Sequence, residues 1–191
     1  MPTSMFEKLL GSAAKANASQ GRYPFFGPGD VGEHLVEVTD CKIKISRTEE
    51  SYWVATVNVL ESDNPSVTGM HSVMAKLSGP YKDMGLSQMK GFLLAMLGTL
   101  LDERPRESEF DVDTMVEGGL VGFYDASADP EDRAASAREY LLAGLKVLLT
   151  VTKKKTKKGQ DIAVVSATYV QGAADEIRKL GEEEGDGEGE A

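Results

Sequence analysis

Apolar and polar positions alternate through residues 33–46 (EHLVEVTDCKIKIS), but the parity changes halfway: Val36 and Val38 are apolar at even positions, Cys41, Ile43 and Ile45 at odd ones. One extra residue near Thr39 or Asp40 keeps all five on a single buried face, so the pattern predicts a long strand with a β-bulge. Lys42, Lys44 and Ser46 then face outward together, with Arg47 just beyond. A second alternating run, residues 51–61 (SYWVATVNVLE), puts Trp53, Ala55, Val57 and Val59 on one side and Tyr52, Val54, Thr56 and Asn58 on the other. The link 47–50 is short enough for a hairpin. Asp63-Asn64-Pro65-Ser66 predicts a turn, and residues 68–78 a third strand, with His71, Val73, Ala75 and Leu77 opposite Met70, Ser72, Met74 and Lys76.

The pattern then changes period. Residues 87–101 (SQMKGFLLAMLGTLL) predict a helix, with Ser87 as N-cap and an almost wholly apolar body that must be covered on most sides. Residues 102–119 are acidic and irregular, and a short apolar piece follows at 120–124. Residues 127–143 open with helix-start grammar: Asp129 as N-cap, Pro130 at the first helical position, Glu131 and Asp132 in the first turn. This predicts an inserted helix ending near Gly144. Residues 145–170 (LKVLLTVTKKKTKKGQDIAVVSATYV) then read as two β-rich runs around a basic turn, with Gly159 free to take the positive φ a hairpin loop often needs.

The ends are of a different character. Residues 4–18 set Met5, Phe6, Leu9, Leu10 and Ala13 on roughly one helical face, predicting a short amphipathic helix that is a partly frayed arm or, as the alternative, an arm that docks on a neighbouring subunit of a homo-oligomer. Residues 21–32 (GRYPFFGPGDVG) are turn-rich, and their Tyr23, Phe25 and Phe26 must be either packed or offered to a ligand. The segment contains a literal G-x-G-x-x-G at 27–32, but a dinucleotide site needs a helix after it to hold the pyrophosphate, and the residues that follow read as strand. The glycines are therefore turn chemistry. The glycine-rich, acidic end, residues 181–191, cannot bury enough surface to fold and is expected to be disordered. The resulting division is an arm at 1–28, one domain at 29–171 interrupted by an insertion at about 102–144, and a spacer with acidic tail at 172–191.

Charge sharpens this picture. The formal net charge is −10, but the tail alone holds six acids and no base, leaving −4 for the rest. Against that balance, residues 153–158 concentrate five lysines, Lys153, Lys154, Lys155, Lys157 and Lys158, in six positions. Such clustering costs repulsion, and a polyanion or acidic surface is its natural counterpart; solvated charge keeping an edge hairpin soluble is the alternative. A single cysteine, Cys41, forms no internal disulfide, and the N-terminus lacks the pattern of a secretory signal. The longest apolar stretch, residues 91–101, falls short of the ~20 residues a bilayer span requires. A soluble, cytoplasmic protein without membrane attachment is expected. Enzyme readings find little support: two histidines and one cysteine are too few for a familiar zinc cluster, no Walker loop occurs, and Asp111-Val112-Asp113 lacks the glycine and spacing of a calcium loop.

Strand, strand, strand, helix, insertion, strand, strand is the plan of the oligonucleotide/oligosaccharide-binding (OB) barrel. On HLVEVTDCKIKIS, SYWVATVNVLESDNPS, the apolar helix after strand 3, the KVLLTVTKKKTKKGQDIAVV hairpin and the EEEGDGEGEA end, the chain resembles the OB-fold single-stranded DNA-binding proteins of bacteriophages. The similarity covers about residues 29–170 plus the tail. The expected fold is thus mainly β with helices (α+β): a five-stranded OB-fold barrel with a helix between strands 3 and 4, an inserted helix before strand 4 and a disordered acidic C-terminal tail.

What the resemblance implies is sequence-tolerant binding of single-stranded DNA in phage replication or recombination, without catalysis and without a cofactor. Lysines along a groove would displace counterions from phosphates while rings stack on unpaired bases. Lys42, Lys44 and Arg47 are expected on one wall, Tyr52, Trp53 and Lys76 on the sheet face, with simple core packing the alternative for Trp53, and Lys153, Lys154, Lys155, Lys157 and Lys158 on the strand 4 to 5 loop. The acidic tail would compete for the groove or recruit replication proteins. Because the tail lacks the hydrophobic tip common in bacterial proteins of this type, self-competition is the favoured role. RNA would suit the same groups, and an adaptor that turns its lysine loop to an acidic protein surface is the main alternative.

Overall fold

A computed structural model describes residues 23–172. The expected helix at 4–18 and the acidic end at 181–191 lie outside the described residues. The elements in order are β1 (Gly32–Ile45), β2 (Ser51–Ser62), β3 (Gly69–Lys76), α1 (Lys82–Leu101), α2 (Val112–Glu117), β4 (Gly122–Asp125), α3 (Pro130–Ser136), β5 (Leu145–Lys155) and β6 (Asp161–Tyr169). The protein is mainly β, with helices.

β1 organises the sheet. It pairs antiparallel with β2 along its length, with β5 through residues 32–38, and parallel with β4 through residues 42–45. The register slips between Val38 and Asp40, where the parity change demanded a bulge, and again between Leu35 and Val36. Val36, Val38, Cys41 and Ile43 are consequently all buried. β2 carries Trp53, Ala55 and Val57 on the same inner side, and β5 adds Leu145, Val147, Leu149 and Val151.

The strands do not close. The sheet runs β3-β2-β1-β5-β6 with β4 to one side, so β3 and β6 are its ends instead of partners. α1 lies between them. At its start, a Cβ on Gly85 would collide with the Lys76 carbonyl of β3. At its end, a Cβ on Gly98 would meet Tyr169 of β6 at 2.8 Å, and Thr99 Oγ1 accepts the Val170 N–H at 2.9 Å. The two glycines let the helix approach both strands closely. Met89, Phe92, Leu93 and Met96 of α1 fill the core beneath it.

Several expectations are corrected here. α1 begins at Lys82, five residues before the expected Ser87 cap, because a 3-10 turn at Gly79–Tyr81 feeds directly into it. With that turn, Gly79–Leu101 is long and apolar enough by composition to cross a membrane, although it serves here as the core helix. Residues 102–119 are not wholly irregular: Asp111 caps α2, accepting the Thr114 N–H. The apolar piece after it supplies a sixth strand, β4, absent from the five-strand plan. α3 stops at Ser136, well short of Gly144, because the Arg138 backbone turns to exchange both hydrogen bonds with Phe123 at 2.9 Å.

Candidate nucleic-acid interface

The outward side chains of four strands line up in register. Lys44 of β1 stands opposite Tyr124 of β4 on one side and Tyr52 of β2 on the other, and Tyr52 stands opposite Lys76 of β3. The next outward row is Gly122, Lys42, Val54 and Met74. Pairing therefore brings Lys42, Lys44, Tyr52 and Lys76, expected from sequence, onto one face.

Residues before β1 complete it. Pro24 O accepts the Ser72 N–H at 2.9 Å, placing the chain beside the edge of β3. Successive side chains of an extended segment point oppositely: Phe26 is buried, stacked between His34 (5.4 Å) and His71 (4.7 Å), while Phe25 is 42% exposed. His34 is itself held by Ser62 Oγ and the Asp30 carbonyl, at 2.8 and 2.9 Å. Phe25, Tyr52, Val54, Met74 and Tyr124 with Lys44 line a groove of ≈ 470 Å³. Met74 and Tyr124 are 43% and 41% exposed, apolar surface that water gains by losing.

Glu50 organises the far end. Its carboxylate accepts from the Tyr52 hydroxyl and from Lys76 Nζ, both at 2.6 Å, and Lys76 Nζ also lies 5.7 Å from the Tyr52 ring centre. Lys76 and then Tyr52 hold the Glu50 carboxyl below its ordinary pKa, and Glu50 raises that of Lys76. Lys42 is similarly paired with Asp40 at 2.5 Å. Exposed pairs of this kind are worth little. The arrangement leaves flat rings, flanked by ammonium groups, on the solvent side of the sheet.

The remaining expected residues lie elsewhere. Trp53 is not on the sheet face: fully buried, it meets Phe92 edge-on at 4.9 Å, and its Nε1–H donates to Cys41 Sγ at 3.3 Å. Its parity with Ala55 and Val57 is the reason. Arg47 is exposed in the β1–β2 turn, where the chain is closed by Ser46 N–H to the Glu50 carbonyl at 2.8 Å. The lysine hairpin is exposed too, with Gly159 at φ +79° and Lys153 paired to Asp161 at 2.8 Å. It does not join the groove. β5 runs past the start of β1, since Val151 pairs with Gly32, whereas Lys44 is near the end of β1, about 40 Å further along the strand.

No protein-family model and no curated protein matches this chain.

Sequence reasoning missed Tyr124 as a surface group and left Phe25 undecided, whereas Met74 is on the side of β3 that the alternation gave it, with Lys76. Tyr124 has no local signal, because its neighbours come from β1, some eighty residues earlier. Among the described residues, no group of three or more His, Cys, Asp or Glu is placed to hold a metal ion. Burial pushes the Cys41 thiol up to about 12, which leaves it protonated and poorly nucleophilic at neutral pH.

Proposed function

We propose that the protein binds single-stranded DNA without sequence preference and without catalysis, in phage replication or recombination, in the cytoplasm of the host. In this reading its open sheet is a variant of the OB layout whose last strand, β6, packs against α1 instead of pairing with β3. One observation carries the reading: the cross-strand row Tyr124, Lys44, Tyr52, Lys76 on the solvent side of the sheet, with Phe25 beside it. Every base has a face on which a ring can stack, so rings between cations favour a polynucleotide with its bases unpaired. A duplex hides those faces.

Fluorescence titration with labelled oligo-dT tests this. The strand is expected to bind more tightly than duplex of equal length, and its affinity to fall as salt rises. Equal affinity for both, or none for either, would reject the function.

The tail modulates that binding. β6 ends where Tyr169 pairs with Val147, itself opposite Val36 in the first half of β1. The chain thus leaves the sheet between the lysine hairpin and the Lys44 row, each about 20–30 Å away along the strands. The 19 residues after Gly172 can span roughly 60 Å when extended, enough to bring the acids to either. Deleting residues 181–191 is expected to tighten dT binding at low salt; unchanged affinity would remove self-competition from the proposal.

The distance between hairpin and groove favours a second reading for the hairpin alone. Lys154, Lys155, Lys157 and Lys158, remote from the rings, suit an acidic protein surface, as in an adaptor. A protein complex that survives nuclease treatment, together with failure of the dT titration, would favour that role for the whole chain.

A further inference from the structure

The insertion does more than interrupt the strands. Its β4 and the end of α3 enclose a second, larger trough of ≈ 780 Å³, lined by Asp40, Lys42 and Lys44 on β1, Gly122 and Tyr124 on β4, and Arg138 after α3, among others. This volume lies within the ~300–1,000 Å³ of clefts that hold small ligands. Lys44 and Tyr124 line both this trough and the groove over Tyr52, so the two meet across that pair. The trough carries three cations, Lys42, Lys44 and Arg138, against two carboxylates, Asp40 and Glu139.

Two features make the trough a built one. A Cβ on Gly122 would come within 2.9 Å of the Arg138 carbonyl and 3.3 Å of the Lys42 side chain, so only glycine allows the segment after α3 to lie this close to the sheet. Arg138 is pinned as well: its Nη1 donates to the carbonyls of Ala135 and Ala137 at 2.9 and 2.8 Å. A guanidinium held at one nitrogen keeps its other N–H groups oriented, which lowers the entropy lost on gripping a phosphate.

We propose that a single strand crossing the Tyr52 face continues over Tyr124 into this trough, where Lys42 and Arg138 take its phosphates. The insertion is then the second half of the nucleic-acid interface, and it lengthens the site. This rests on the function proposed above.

The test compares dT oligomers of about five nucleotides, enough for one face, and about fifteen, near the upper end of what one such fold occupies. The intact chain is expected to bind the longer strand more tightly than its extra length alone provides statistically. Arg138 lies outside the Tyr52 groove, and Arg138→Ala is expected to lose about fivefold on the long oligomer and less than twofold on the short one. Arg138→Lys, which keeps a positive charge at this position, should show a smaller loss of the same kind. Unchanged affinity for the long strand, or equal losses on both lengths, overturns the extension while leaving the Tyr52 face in place. Failure of the intact chain to bind either oligomer overturns the underlying function instead, and the extension with it.

Discussion

Trp53→Ala is expected to destabilise the fold by about 3–5 kcal/mol, read as a lower urea midpoint, whether or not DNA is present. The indole has no exposed surface, packs edge-on against Phe92 of α1, and gives its only N–H to Cys41. Truncation removes the ring from the point where β1, β2, β3 and α1 meet, since Ile43, Trp53 and Ala75 are opposite one another. Strands cannot collapse into the space without breaking register, so much of the cavity would persist. Against a typical total stability of about 5–15 kcal/mol this is a large fraction. Trp53→Phe keeps most of the volume and should cost far less. A stable, folded Trp53→Ala protein that had lost dT binding would place the indole at the surface and contradict the buried assignment.

Trp53 also shows what the sequence could and could not tell. The alternation in residues 51–59 put Trp53 with Ala55 and Val57, and the parity change near Thr39 located the bulge of β1; both are local signals, and both appear in the register. A stacking role for Trp53 runs against that alternation, whereas core packing agrees with it, and the indole is buried. The face itself was half legible. Lys42, Lys44, Tyr52 and Lys76 share outward parity within their own strands, whereas Tyr124 reaches them only through a parallel pairing of four residues, too short to leave a periodic trace.

Closure was not legible at all. Whether the two outer strands meet depends on how far α1 enters between them, and that is set by Gly85 against Lys76 and Gly98 against Tyr169. Read along the chain, each glycine looks like a weak point in a helix. In space each is a contact between elements distant in sequence. The lysine hairpin shows the opposite: its charge density is the loudest signal in the chain and its place between the last two strands is legible, but only the pairing of Val151 with Gly32 shows it at the far end of β1 from the rings.

That separation assigns the largest binding effect to a single aromatic residue. Tyr52→Ala is expected to weaken dT binding by about 1–3 kcal/mol, roughly five- to 150-fold, measured by anisotropy of a labelled strand. The ring lies between Lys44 and Lys76 in the cross-strand row, and its hydroxyl is fixed to Glu50 at 2.6 Å, so it is oriented before any base arrives. Two controls separate stacking from its neighbours. Tyr52→Phe retains the ring and gives up the hydroxyl that donates to Glu50, so it should keep most of the affinity. Lys44→Ala removes a charge without a ring, and should lower the slope of log affinity against log salt by about 0.7, whereas Tyr52→Ala should leave that slope unchanged. Since the side chain is only half-buried on the outer face, folding should be little affected. A folded Tyr52→Ala protein with undiminished affinity would show that any bound strand is held by charge alone, and the lysine hairpin, not the sheet face, would then be the place to look for it.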